Sequence, residues 1–417
     1  MDKTVSLGSA NGTITPPSSK SYAQRAIALA LLAEGRTTLR NIEFCKDTRS
    51  AISCIEALGA KVTYLDESTI AIDGGLHPVT DTLMVGESGL ATRLFTPIAS
   101  LNSTPICIKG EGTLLHRPMM MMIEPLRRLG VEVRDGGGHL PIEVKGPIHG
   151  GNIEVDGSFS SQFITGLLLA LPLAKEDTTL HVRSAVSTPY IDMTIDTANR
   201  FGVEIMHHEG DYSEFYIEGG QKYTPTDLAI EGDWSGASTM LVAGAISGRV
   251  TVKNLSTLSK QADTAICRAL ERAGAGIIIE GDSITVTKRR LRPFTFDATN
   301  SPDLFPALAA LAAAAHGQST IIGTQRLLHK ESDRAETIRL EYEKLGIEVD
   351  ISEDNVMKIR GGEIYPATVF SHNDHRIAMS LAVSALRCKG TVTIENAECV
   401  EKSYPTFFED LESITVR

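Results

Sequence analysis

The residues of this chain best suited to chemistry are cations set just ahead of apolar or helix-forming runs. Ser18-Ser19-Lys20-Ser21 and Arg25 lead into the run Ala26 to Ala33, after the prolines Pro16 and Pro17. Arg117 precedes Pro118, and Lys402-Ser403 precedes Tyr404-Pro405. Lys330-Glu331-Ser332-Asp333-Arg334 places two cations and two further acids at one helix start, with Ser332 the expected cap. Asn373-Asp374-His375-Arg376 introduces a run that should be buried, so its histidine and arginine must be paired or face a cleft. A helix N-terminus offers backbone N–H groups without partners and the positive end of the helix dipole, which together favour anions. Arginine meets carboxylate or phosphate at two points, and lysine acts as a point charge. The chemistry expected is recognition of small molecules carrying several negative charges.

Other chemistries are argued against. No G-x-x-x-x-G-K-[ST] phosphate loop occurs, nor a G-x-G-x-x-G fingerprint followed by its acid, which argues against ATP and NAD; no cofactor is expected. His207-His208 lacks a partner at zinc spacing and reads as a strand end, so no metal is expected either. Met119 to Met122 reads as core packing. A net charge of −12 over 417 residues speaks against nucleic acid and anionic membrane as partners. The six cysteines are scattered, as in a protein of a reducing compartment, and no apolar run reaches spanning length; a cytoplasmic protein is expected.

The elements that must position these cations repeat along the chain. Thr37-Thr38-Leu39, Thr178-Thr179-Leu180 and Ser319-Thr320-Ile321 are three of six similar strand starts. Leu58-Gly59-Ala60, Leu129-Gly130-Val131, Phe201-Gly202-Val203, Ala273-Gly274-Ala275 and Leu345-Gly346-Ile347 each close an amphipathic helix and open a strand, with glycine at the left-handed position past the helix end. The period is roughly 70 residues, longer than the common solenoid repeats. Each copy also begins with a helix apolar all round, which belongs inside a protein. Three copies per domain give two α/β domains, each with three helix N-termini aimed at one face. The sixth copy lacks its last strands, and Thr4 to Leu7 is expected to supply one. The chain would cross between domains near Asn11 to Thr15 and near Tyr223 to Ala229. That sets one domain at 13–226 and the other at 1–12 plus 227–417.

Ser18-Ser19-Lys20-Ser21-x-x-x-Arg25, Asp156-Gly157-Ser158-x-Ser160-Ser161-Gln162-Phe163, Ser187-Thr188-Pro189-Tyr190-Ile191-Asp192, Lys330-Glu331-Ser332-Asp333-Arg334 and Asn373-Asp374-His375-Arg376 occur in that order. Together they resemble the 5-enolpyruvylshikimate-3-phosphate (EPSP) synthase family over nearly the whole chain. The resemblance implies an enolpyruvyl transferase-like fold, with three βαβαββ units and buried helices in each domain and the active site in the interdomain cleft. It implies transfer of the enolpyruvyl group of phosphoenolpyruvate to the 5-hydroxyl of shikimate 3-phosphate, with release of phosphate. The reaction is an addition–elimination through a tetrahedral intermediate, on the shikimate pathway to chorismate and the aromatic amino acids. A monomer working on small-molecule substrates is expected.

By matching position, the resemblance assigns Lys20, Ser21, Arg25, Ser160, Ser161, Gln162, Ser187, Tyr190, Asp303 and Lys330 to shikimate 3-phosphate. Lys20, Gly89, Arg117, Gln162, Arg334, Arg376 and Lys402 are assigned to phosphoenolpyruvate. The catalytic assignments are Asp303 as base on the 5-hydroxyl, Glu331 as proton donor to C3, and Lys20. Gly89 keeps the small residue of glyphosate-sensitive relatives, so glyphosate is expected to compete with phosphoenolpyruvate. The chain departs from the family phrase Gly-Asn-Ala-Gly-Thr-Ala-x-Arg with Gly86-Glu87-Ser88-Gly89-Leu90-Ala91-Thr92-Arg93, and Arg326 stands where many relatives have asparagine. Two alternatives are an enolpyruvyl transferase acting on UDP-N-acetylglucosamine and a non-catalytic anion-binding relative. Against the first, the loop Gly110-Glu111-Gly112-Thr113-Leu114-Leu115-His116 has no cysteine.

Overall fold

The computed structural model describes residues 1–328 and 330–416. Six helices dominate it: Lys20–Leu32, Gly89–Ala99, Ser161–Ala170, Trp234–Ser247, Phe305–Ala313 and His375–Ala385. Their sequences are rich in alanine and leucine, which favour helix, and have no polar face to offer water. Every residue of Gly89–Ala99, Trp234–Ser247, Phe305–Ala313 and His375–Ala385 is accordingly buried. Each core helix leads to a strand, and in the first, second, fourth and fifth copies an amphipathic helix and two further strands follow.

The second copy shows the pattern. Its sheet runs in the order Thr82–Met84, Ile106–Lys109, Ile142–Lys145, Glu132–Asp135. The first pair is parallel, as a helical crossover requires, and the other two are antiparallel. Thr295–Asp297, Gln318–Ile322, Val356–Arg360 and Glu348–Asp350 repeat the same order and polarity. Past the amphipathic helices, Gly130, Gly202, Gly274 and Gly346 take φ of +84°, +82°, +85° and +84°, which a β-carbon would disfavour. In the third copy the fourth strand shrinks to a bridge between Met206 and Tyr216.

Two compact units result: Met1–Ser19 with Glu231–Arg417, the terminal unit, and Lys20–Ile230, the inserted unit. Each has its own hydrophobic core around three of the core helices. The strand Ser9–Ile14 runs parallel to Arg249–Val252, which keeps Thr13 and Ile14 in the terminal unit. Leu228–Ala229 runs parallel to Leu39–Arg40, which keeps it in the inserted unit. The passages between units therefore fall at 19/20 and 230/231, a few residues beyond the expected 12/13 and 226/227. The strand Lys3–Ser6 pairs antiparallel with Thr391–Glu395 and extends the sixth copy, while Thr415–Val416 pairs with Ser9 and Ala10.

The methionine run divides by face. Met119 and Met122 are fully buried, but Met120 is 61% exposed, because Met120–Arg128 is an amphipathic helix. All six cysteines are free thiols. Among the described residues no helix is long and apolar enough to cross a membrane.

Candidate functional site

In the terminal unit, three helix starts bring their charged residues together. Asp374 caps His375–Ala385, accepting from the Arg376 backbone N–H at 3.0 Å. Asp303 lies in the short turn Pro302–Leu304 that feeds Phe305–Ala313. Arg334 opens the amphipathic helix Arg334–Lys344 and is completely buried. A buried guanidinium needs compensating charge, and Arg334 has three carboxylates around it. Its Nε is 2.7 Å from Asp374 Oδ2, its Nη2 2.7 Å from Glu331 Oε2 and its Nη1 2.6 Å from Asp303 Oδ1. Lys330 Nζ is 3.2 Å from the same Asp303 oxygen, and Arg376 Nε is 3.8 Å from it.

Burial pushes the Asp303 carboxyl up, but the combined pull of Lys330, Arg376 and Arg334 overrides it and holds the group well below the ordinary carboxylate range. Burial lowers Lys330 despite Asp303. It acts in the same direction on Arg334, where Asp374, Glu331 and Asp303 outweigh it and raise the group. The expected cap Ser332 does not cap. Its hydroxyl donates to Asp374 Oδ2 at 3.2 Å, drawn by a buried carboxylate that needs donors, and Asp333 accepts from the Glu336 N–H instead. His375 is buried, with Nδ1 3.9 Å from Asp374 Oδ1. Lys402 is buried at the end of the turn Ala397–Lys402.

The inserted unit assembles a second group. Lys20, the first residue of its core helix, pairs with Asp47 at 2.8 Å. Arg25 is buried and donates to Thr194 Oγ1 (2.9 Å), Thr165 Oγ1 (3.1 Å) and the carbonyls of Ser21 (2.7 Å) and Tyr190 (3.2 Å). Burial lowers it to about 10, so it stays charged at neutral pH. With most of its donors bonded within the protein, it ties three helices together. Ser88 caps Gly89–Ala99 by accepting from the Ala91 N–H, and its hydroxyl also donates to Gln24 Oε1 at 3.1 Å. A β-carbon on Gly89 would lie 3.0 Å from Arg117 Nη1 and 3.2 Å from Arg93 Nη1, so the missing side chain is what lets two guanidiniums approach the helix start. Arg93 Nη1 donates to Gln162 Oε1 at 2.7 Å. Ser160 caps Ser161–Ala170, its Oγ accepting from the Gln162 N–H at 3.2 Å. Ser187 precedes Thr188–Arg200 in the left-handed region at φ +54°, uncommon for serine, with Tyr190 in the first turn of that helix.

The structure thus gathers Asp303, Lys330, Glu331, Arg334 and Arg376 in one unit and Gly89, Arg117 and Gln162 in the other. Arg93 was not singled out from sequence, although a charged residue inside an otherwise apolar helix was signal enough. Asp263 had no signal at all. It is fully buried, its Oδ2 accepts from Ser235 Oγ, and its Oδ1 has no hydrogen-bond partner among the described residues. Burial and then Asp303 push its carboxyl up to about 7, with Arg376 and Ser235 opposing and Asp233 adding to the rise.

That shift has a measurable sign. Between the unfolded value near 4 and about 7, the folded chain holds a proton that the unfolded chain releases. This group alone then lowers stability by up to about 1.4 kcal/mol per pH unit as pH rises through that range. Asp263→Asn removes the titration, so its urea midpoint should gain on wild type between pH 5 and pH 8. Parallel profiles would mean that Asp263 does not titrate there.

Known proteins resemble the chain along nearly its whole length. The family model of EPSP synthase (3-phosphoshikimate 1-carboxyvinyltransferase) matches residues 6–411. A 3-phosphoshikimate 1-carboxyvinyltransferase of Methanosarcina acetivorans is 38% identical, over 100% of this chain and 98% of that protein. One from Methanocorpusculum labreanum is 34% identical, over 98% and 97%. The solved EPSP synthase from Acinetobacter baumannii superposes with a TM-score of 0.83 at 25% identity, covering 100% of this chain and 99% of that one. The enolpyruvyl transferase NikO from Streptomyces tendae, 18% identical with a TM-score of 0.79 over 99% and 96% of the two chains, shares the fold. The chain belongs to the EPSP synthase family.

Proposed function

We propose that this protein transfers the enolpyruvyl group of phosphoenolpyruvate to the 5-hydroxyl of shikimate 3-phosphate, releasing phosphate. The observation that carries the reading is the cluster in which one buried arginine, Arg334, holds both Asp303 and Glu331. In the proposed roles, Asp303 takes the proton of the 5-hydroxyl as its oxygen adds to C2 of phosphoenolpyruvate, and Glu331 gives a proton to C3. Elimination of phosphate from the tetrahedral intermediate, with loss of a proton from the new methyl, restores the C2–C3 double bond and leaves the enol ether product. The inserted unit supplies mainly the shikimate 3-phosphate contacts, and the terminal unit mainly the acid–base groups and part of the phosphoenolpyruvate contacts.

A base held far below neutrality by three cations is a weak base. Each of those cations is one this reading gives to a substrate, Lys330 to shikimate 3-phosphate and Arg334 and Arg376 to phosphoenolpyruvate. Substrate anions compete for them and relieve Asp303, so its basicity rises when both substrates are in place. Holding the two substrates together contributes roughly 7–11 kcal/mol to such a reaction, more than either proton transfer. The six free thiols suit a cytoplasmic setting, and we read the protein as a monomer there.

The test is phosphate release. Shikimate 3-phosphate with phosphoenolpyruvate should yield stoichiometric phosphate, and UDP-N-acetylglucosamine in place of the former should yield none. Tight binding of either substrate without turnover would replace the enzyme by an anion-binding relative.

A further inference from the structure

We propose that Glu87 is a positioning residue: through Thr113 it fixes the loop that sets Arg117 over Gly89, and so governs affinity for the anion bound there. The proposal rests on the phosphoenolpyruvate reading of that site. Glu87 lies between Gly86 and the cap Ser88, where the family phrase has asparagine. An acid beside an anion site should repel the ligand, unless its carboxylate is committed elsewhere.

The geometry shows that commitment. Glu87 Oε2 accepts from Thr113 Oγ1 at 3.0 Å. A β-carbon on Gly112 would stand 2.5 Å from both Cδ and Oε1 of Glu87, so the carboxylate lies against the Gly112 backbone. Gly112 itself has φ +56°, so this position needs glycine both for its conformation and for the space Glu87 takes. The Glu111 N–H donates to the Gly86 carbonyl at 2.9 Å, a second tie between the same two segments. From Gly112 the chain makes a 3-10 turn to His116, pinned by the fully buried Leu114, and the Arg117 N–H donates to the Leu114 carbonyl at 3.1 Å. Arg117 then returns its guanidinium to Gly89, two residues from Glu87. The contacts close a ring running Glu87, Thr113, Arg117, Gly89. Opening it at Glu87 frees the loop at the end that aims Arg117, while the proposed acid and base lie elsewhere in the chain.

Kinetics of four variants test this. Glu87→Ala should raise KM for phosphoenolpyruvate about tenfold, with kcat and KM for shikimate 3-phosphate within about twofold of wild type. Glu87→Gln keeps an oxygen that accepts from Thr113 and should stay within about threefold of wild type. Thr113→Val should match Glu87→Ala, and the double variant should be no worse than either, as for two halves of one contact. A fall in KM for phosphoenolpyruvate in both Ala and Gln variants would overturn the proposal, because the charge would then be acting on the ligand. So would an unchanged KM in Thr113→Val, or additive effects in the double variant. Glu87→Gln and Thr113→Val keep the test open should Glu87→Ala fail to fold. Absence of phosphate release in wild type would instead remove the reading on which the proposal rests.

Discussion

Glu331→Gln is expected to lower turnover by roughly 10²–10⁴ while leaving the Kd of either substrate close to wild type. The substitution is nearly isosteric. Its amide oxygen can still accept from Arg334 Nη2, which lies 2.7 Å from Glu331 Oε2, so the arginine keeps its place. What is lost is a proton that can be given to carbon. Single-turnover kinetics with calorimetric binding separate the two effects. Equal losses in turnover and affinity would reduce Glu331 to a partner of Arg334. Glu331→Ala should do worse on both counts, since it also strips a carboxylate from a buried cation.

Arg334→Leu should be the most destabilising single change in the terminal unit, by about 3–5 kcal/mol. Leucine fills part of the space but leaves Asp374, which is fully buried, without its main counter-charge, and takes from Asp303 one of its three cations. Urea unfolding reads the loss, and pairing the change with Asp374→Asn should recover part of it, as expected of contacting residues. Acid sharpens the comparison. The folded Asp303 carboxyl lies well below its unfolded value, so its stabilisation is complete above that value and is lost as pH falls towards the folded one. Wild type should therefore lose stability on acidification below about pH 4 more steeply than Arg334→Leu. A loss of under ~1 kcal/mol at neutral pH would show that solvent, not protein, compensates these carboxylates.

Much of the architecture was legible because its signals are local. Helices such as Phe305–Ala313 are apolar on every side, and the glycine after each amphipathic helix marks where it ends. The strand Leu228–Ala229 was not legible, because two residues carry no alternation; its place comes from pairing with Leu39 and Arg40, far away in sequence. The site divides in the same way. The phrase Lys330 to Arg334 announced charge at a helix start but not burial, since Arg334–Lys344 is largely polar. Burial there is set by Asp303 and Asp374, which lie 31 and 40 residues from Arg334. Ser332 looked like the cap for the same reason: nothing nearby in sequence shows a carboxylate competing for its hydroxyl.

The pairing of Ser9–Ile14 with Arg249–Val252 also imposes an order on biosynthesis. Ser9–Ile14 meets a partner 238 residues downstream, Arg249 opposite Asn11. At ordinary ribosomal rates of about 5–20 residues per second, it waits roughly ten to fifty seconds for that partner to emerge. The inserted unit is continuous in sequence and needs nothing from before Lys20 or after Ile230 to close its core, so its synthesis fills most of the wait and it is complete about one to four seconds before Arg249 is added. An unpaired strand is an invitation to aggregate. From Lys3 to Ile14 only Val5, Leu7 and Ile14 are large apolar residues, amid glycine, serine, threonine and asparagine. A segment that must stay harmless on a nascent chain has reason to be that polar, whatever its final place in the sheet.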